Sequence, residues 1–157
     1  MGSLRGLNTA AATKRVAQGL LLSQPLKPIT ELIRQGKACA VYFVADNGRF
    51  RAKEYFDSAD KKDRARLHAL VKIVSDAGKL ASDGMGHWLK GKFKKVYEFK
   101  TKKCRCFALQ RGPDYYLMNA ADKAKPKKQE KDYERALELR ERLVTQFDQG
   151  ESDERGR

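Results

Sequence analysis

The chain has 157 residues, with 34 Lys and Arg against 20 Asp and Glu, for a formal net charge of +14. That length suits one compact domain and hardly two, and the charge points to a polyanionic partner: nucleic acid, an acidic protein or an anionic membrane surface. Three cysteines, an odd number, argue against a disulfide framework, and Cys104-x-Cys106 with two histidines falls short of the roughly four ligands of a structural zinc site.

No metal or other cofactor is therefore expected. The chain reads as reduced and cytoplasmic. No apolar run approaches the ~20 residues that span a bilayer. The charge is unevenly spread. Met85 to Lys128 carries a net of +10, and Gln129 to Arg157 a net of −3. The basic surface belongs to the middle of the chain.

Met1 to Thr30 has four Lys and Arg and no acid, a composition shared with organellar transit peptides. The plainer reading is a helical or flexible extension over residues 1–37. Asn8 to Leu22 suits a helix, broken by Pro25 and Pro28, and Ile29 to Gln35 a short second one closed by Gly36. Ala38 to Val44 is a β-branched and aromatic run followed by the turn signal Asp46-Asn47-Gly48, which predicts a first strand.

Arg51 to Asp57 suits a short helix. The next helix is better marked. Asp60 can cap it, Asp63 favours the positive end of its dipole, and Gly78 stops it. Leu67, Leu70, Val71 and Val74 fall at i, i+3, i+4 and i+7 on one stripe. Together the two helices predict a hairpin packed on a sheet.

Lys79 to Lys92 contains Gly84, Gly86 and Gly91 and reads as a loop or irregular strand. Val96–Thr101, Lys103–Leu109 and Asp114–Ala120 are three strand candidates, with Gly112-Pro113 between the last two. After a second basic patch around Lys123 and Lys125, a closing helix spans Gln129 to Phe147. Its apolar positions are Tyr133, Ala136, Leu137, Leu143, Val144 and Phe147, with Arg140 at the solvent edge. Residues 148–157 are expected to be a disordered tail.

From Gly86 to Gly112 the only acid is Glu98, set among many Lys and Arg. A two-residue turn at Thr101-Lys102 puts Lys100 opposite Lys103 and Glu98 opposite Arg105. Side chains alternate in face. Tyr97, Phe99, Cys104, Cys106 and Ala108 then form a core face. Val96, Glu98, Lys100, Lys103, Arg105 and Phe107 form a cationic shelf with one carboxylate. The plain account is a solvated face with a Glu98–Arg105 ion pair worth under ~1 kcal/mol. Opposed lysines disfavour that account and favour a bound anion.

Such a shelf could also serve RNA cleavage by the 2′-hydroxyl. That reaction needs a base, cations to stabilise the phosphorane, and an acid for the leaving 5′-oxygen. A lysine crowded by cations has a lowered pKa and could act as base or acid. Glu98 is an alternative base. His87 could be a general acid, although a loop histidine beside a tryptophan more often packs. Trp88 suits either base stacking or a core cap, and His68 reads as a helix-surface residue.

The order strand, helix, helix, three strands, basic patch, helix resembles the RelE/ParE superfamily of bacterial toxins, and within it the HigB-like, phage-related branch. The resemblance is carried by "VYFVADNGRFRAKEYFDSADKKDRARLHALVKIVSDAG", "VYEFKT", "KCRCFAL" and "YYLMNAADKAKPKKQEKDYERAL", and covers about Ala38 to Phe147. It implies an α+β fold: a helical hairpin and a C-terminal helix packed on a small, mainly antiparallel twisted sheet.

The resemblance also implies a ribosome-dependent mRNA endoribonuclease, partnered by mRNA on the ribosome and a cognate antitoxin. By position it implies Glu98, Lys100 and Arg105 as the catalytic set. Lys90, Lys92, Lys103, Lys123 and Lys125 would contact RNA. Lys100 stands where the family has Arg, which loses a bidentate fork, and Asp122 interrupts the basic patch. Two alternatives remain on the same scaffold: a non-catalytic binder of nucleic acid or protein, and a gyrase-inhibiting toxin.

Overall fold

The structure, a computed structural model, describes residues 27–155. The expected helix over Asn8–Leu22 lies outside the described residues. The chain divides into two units. One is Pro28–Thr145; of the other, Lys27 and residues 146–155 are described.

In chain order the elements are β1 (Thr30–Gln35), β2 (Ala40–Val44), α1 (Arg51–Ser58), α2 (Lys61–Ala77), β3 (Gly86–Trp88), a 3-10 turn (Gly91–Phe93), β4 (Tyr97–Lys100), β5 (Cys104–Arg111), β6 (Asp114–Asp122) and α3 (Pro126–Arg155). The six strands form one sheet in the order β1-β2-β6-β5-β4-β3. All pairs are antiparallel except β2 with β6. The fold is therefore α+β around a mixed sheet. A hairpin links β5 to β6, while the parallel β2–β6 pair requires a long crossover, which α1 through β5 supply.

The helical hairpin forms as the sequence indicates. Asp60 accepts a hydrogen bond from the Asp63 backbone N–H at 2.9 Å, closing the N-terminus of α2. Gly78, at φ 86, donates to the Val74 carbonyl at 2.7 Å and ends it. Leu67, Leu70, Val71 and Val74 are buried with Phe56 of α1 against Val41, Phe43, Tyr97, Phe99, Cys106 and Leu117 of the sheet. Burial of each large apolar side chain there contributes about 1.5–3 kcal/mol.

Ile29 to Gln35 is not a helix. Thr30–Gln35 is an edge strand paired with β2, so the sheet begins before the expected boundary at Ala38. A lone helix of about two turns has too few hydrogen bonds to offset its nucleation cost. As a strand the segment gains a ladder, packs Ile33 on the core and sets Arg34 Nη1 2.9 Å from Asp76 Oδ1. Gly36 turns the chain tightly under α2, where a Cβ would overlap the Ser75 backbone carbonyl.

The β4–β5 register also differs from expectation. Lys100 pairs with Arg105, Phe99 with Cys106, Glu98 with Phe107 and Tyr97 with Ala108. The turn is centred on Lys102-Lys103 because Thr101 closes it. Thr101 Oγ1 accepts from Cys104 N at 3.0 Å, and Thr101 N donates to Cys104 O at 3.0 Å. Each cross-strand partner moves by two residues, so the side chains that stay in the two strands keep their expected faces, while Lys103 passes into the turn.

Helix α3 starts at Pro126, a residue suited to a first helical position, and runs to Arg155 through the residues expected to be a tail. Its buried stripe is Ala136, Leu139 and Leu143, spaced i, i+3 and i+7. Leu137 and Val144 are only half-buried. Arg140 is not at the solvent edge. Its side chain is 15% exposed and its Nε is buried without a partner. No described helix is long and apolar enough to cross a membrane.

Candidate functional site

The sheet face opposite the helical hairpin carries the expected shelf. Alternation along the strands and the observed register line up His87 (β3), Glu98 (β4), Phe107 (β5) and Asn119 (β6) in one cross-strand row. Lys100, Arg105 and Ala121 form the next row. Glu98, Lys100 and Arg105 thus share one face.

That face is not open at Glu98. The first turns of α3 bring Tyr133 edge-on to Phe107, with ring centroids 5.8 Å apart, and to Phe93 at 5.6 Å. Glu98 is 1% exposed. Alternation in β4 assigned its face correctly but could not say that a helix would cover it. Burial pushes the Glu98 carboxyl above its usual range, opposed by the charges of Arg105, His87 and Lys100. One carboxyl oxygen, Oε2, has no hydrogen-bond partner. The Tyr133 hydroxyl is pushed up to about 12, by burial first and then by the neighbouring Glu98, so it keeps its proton at neutral pH.

Arg105 does not project as a free clamp. Its Nη1 donates to the Thr101 carbonyl at 2.7 Å and the Cys104 carbonyl at 2.9 Å, and its Nε is buried without a partner. Lys100 lies directly opposite, half-buried, and its charge acts on Glu98 from the next row. The pair leaves two cations side by side, a geometry that an anion would relieve.

The other expected lysines separate. Lys90 is exposed at the rim of a cleft of about 330 Å³, lined also by His87, Phe93, Gln129, Glu130 and Tyr133. Lys92 sits 3.7 Å from Glu134 of α3 and 5.2 Å above the centre of the Phe93 ring. Lys103 leaves the shelf altogether. It belongs to the turn, and its Nζ lies 3.5 Å from Asp60 and 3.6 Å from Asp63. Lys123 and Lys125 are exposed between β6 and α3.

His87 is the residue that sequence reasoning undervalued. β3 brings it opposite Glu98, with Nε2 3.8 Å from Oε1. Its Nδ1 is 2.7 Å from the Trp88 carbonyl oxygen. The side chain is 26% exposed and lines the cleft beside Lys90. The signal in the sequence was the short alternation Gly86-His87-Trp88, obscured by three nearby glycines. Trp88 is 40% exposed and meets Tyr97 edge-on at 4.9 Å. His68 packs edge-on against Phe56 at 5.4 Å.

The cysteines offer no nucleophile. Burial raises the Cys104 thiol to about 12 and Cys106 well above its usual value. Among the described residues, no three His, Cys, Asp or Glu side chains cluster as metal ligands.

No family model matches the chain, and no curated protein matches it. Among solved structures, it is similar to the solution structure of the conserved hypothetical protein HP0894 from Helicobacter pylori. That likeness has 18% identity, spans 45% of this chain and 77% of that one, and has a TM-score of 0.30. It is too slight to bear on function. The structure itself therefore carries the description: an α+β chain with a mixed six-stranded sheet, whose helix-covered face holds a buried carboxyl between a histidine and two cations.

Proposed function

We propose that the protein is an endoribonuclease of the toxin kind, acting on mRNA at the ribosome. His87 transfers the proton, Glu98 stabilises it, and Lys90, Lys100 and Arg105 supply positive charge. The observation that carries this reading is that His87, which lines a cleft rimmed by Lys90, lies 3.8 Å from the buried Glu98 carboxyl behind it.

In the reaction, His87 Nε2 takes the 2′-hydroxyl proton as that oxygen attacks phosphorus. The bond to the 5′-oxygen breaks, and a proton from a lysine or from the protonated imidazole completes the leaving hydroxyl. The products are a 2′,3′-cyclic phosphate and a 5′-hydroxyl end. Nε2 makes no hydrogen bond within the described residues, so it is free to meet a hydroxyl. The expected role of Glu98 as direct base changes to one of orienting and charging the imidazole. The antitoxin expected for such a toxin would neutralise it by covering the lysine rim.

The test is to add the protein to translating ribosomes and examine the message. New 5′-hydroxyl ends support cleavage. Intact message with blocked supercoiling would point instead to gyrase.

A second reading is a non-catalytic nucleic-acid binder. It is favoured by the sealed Glu98 and by Arg105 folded back on its own turn. It predicts RNA retention by the lysine rim with no new ends.

A further inference from the structure

A larger cleft, of about 650 Å³, lies between α1, β6 and α3, at the other end of the His87–Glu98–Phe107–Asn119 row. Its volume falls in the range of small-molecule sites and exceeds what a bare phosphate needs. Buried Asp46 organises one wall. Arg51 Nε lies 3.2 Å from its Oδ2, and Arg142 Nη2 lies 2.8 Å from its Oδ1. One carboxylate thus holds two guanidinium groups, and their remaining N–H donors stay available. Arg135 adds a third, exposed and without a partner among the described residues.

The floor supplies the second observation. Asn119 lines the cleft, 8% exposed, and its buried Oδ1 has no hydrogen-bond partner among the described residues. A buried carboxamide left unpaired is costly. It asks for a ligand with an N–H or O–H donor at one end, while the arginines ask for a phosphate at the other. Glu138, also on the wall and unpaired among the described residues, can accept from a sugar hydroxyl. A carboxamide is suited to pair with a base edge through one donor and one acceptor.

We propose that this cleft binds a single nucleotide, with its phosphate on Arg51, Arg135 and Arg142 and its base edge on Asn119. The ligand is either a free nucleoside monophosphate or one unit of a single-stranded RNA. The proposal does not depend on RNA cleavage, because the cleft shares no residue with the His87 site.

The test is calorimetric titration of the full chain with each of the four nucleoside monophosphates, inorganic phosphate and a short single-stranded RNA. The proteins are wild type, Arg135→Glu, Asn119→Leu and His87→Ala. Wild type is expected to bind at least one monophosphate, or the RNA, more tightly than phosphate. Arg135→Glu and Asn119→Leu should each weaken that binding at least about tenfold, the size of one lost charge-assisted hydrogen bond. His87→Ala should leave the monophosphate binding unchanged. Tight monophosphate binding identifies a free nucleotide, and binding of RNA alone identifies a unit of a chain. Arg135 is exposed, so its variant tests the cleft even if Asn119→Leu misfolds. The proposal is overturned if no nucleotide or RNA binds, if binding ignores Arg135→Glu, or if inorganic phosphate binds as well as any nucleotide.

Discussion

His87 and Glu98 face each other across paired strands, with Nε2 3.8 Å from Oε1, while His87 Nδ1 lies 2.7 Å from the Trp88 carbonyl. A carbonyl oxygen only accepts, so Nδ1 carries a proton. In a neutral ring Nε2 is then bare and looks at a carboxyl group. Nε2 and the buried Glu98 carboxyl, whose proton affinity burial raises, thus face each other beside the charges of Lys100 and Arg105.

Burial raises the Glu98 carboxyl, and the sign of the stability effect follows. Between the ordinary carboxylate value and the raised one, the folded state binds more protons than the unfolded state. Stability therefore falls as pH rises through that window. Glu98→Gln should remove this slope and leave the protein as stable at neutral pH or more so, by about 1 kcal/mol. Urea unfolding of both proteins on either side of the window checks it. An unchanged slope in the variant would assign the titration elsewhere.

Gly86 sets the approach of β3 to β4. It sits at φ 151, and a Cβ there would overlap the Glu98 backbone carbonyl and crowd Leu80. Gly86→Ala should cost about 3 kcal/mol or more and displace His87. Thermal unfolding measures the loss. A variant as stable as wild type would contradict the close β3–β4 approach.

Arg105 has two duties that one variant can separate. Its bonds to the Thr101 and Cys104 carbonyls hold the β4–β5 turn, so Arg105→Ala should lose about 1–3 kcal/mol of stability. Arg105→Lys keeps the charge and should retain more RNA cleavage than Arg105→Ala. Equal cleavage by the two variants would remove Arg105 from the site's electrostatics.

Much of this arrangement was legible in the chain. The cap at Asp60, the stop at Gly78 and the stripe from Leu67 to Val74 are local signals, and they specified α2. Alternation specified which face Glu98, Lys100 and Arg105 occupy. The β4–β5 register was not legible, because it depends on Thr101 closing the turn one residue later than the charge pattern implied. β1 was hidden because its six residues carry little apolar alternation, and pairing with β2 decides its form. The cover over Glu98 was not legible either. It depends on where α3 crosses the sheet, and the stripe through Leu139 differs from the one that Leu137 and Val144 indicated.

The lysines should divide by measurement as they do by position. Lys123 and Lys125 are exposed between β6 and α3, whereas Lys103 faces Asp60 and Asp63. Replacing Lys123 and Lys125 by Ala should lower the salt slope of single-stranded RNA binding by about 0.7 for each phosphate no longer neutralised. Lys103→Ala should leave that slope alone and cost under ~1 kcal/mol of stability. A larger effect from Lys103 would return it to the RNA surface.

The most direct measurement is to sequence message ends after translation with wild type and with His87→Ala. Wild type should generate new 5′-hydroxyl ends, and folded His87→Ala should reduce their rate by about 10²–10⁴-fold, the size of a lost general base. Intact message with the wild-type protein, or equal cleavage by the folded variant, would contradict the assignment of proton transfer to His87.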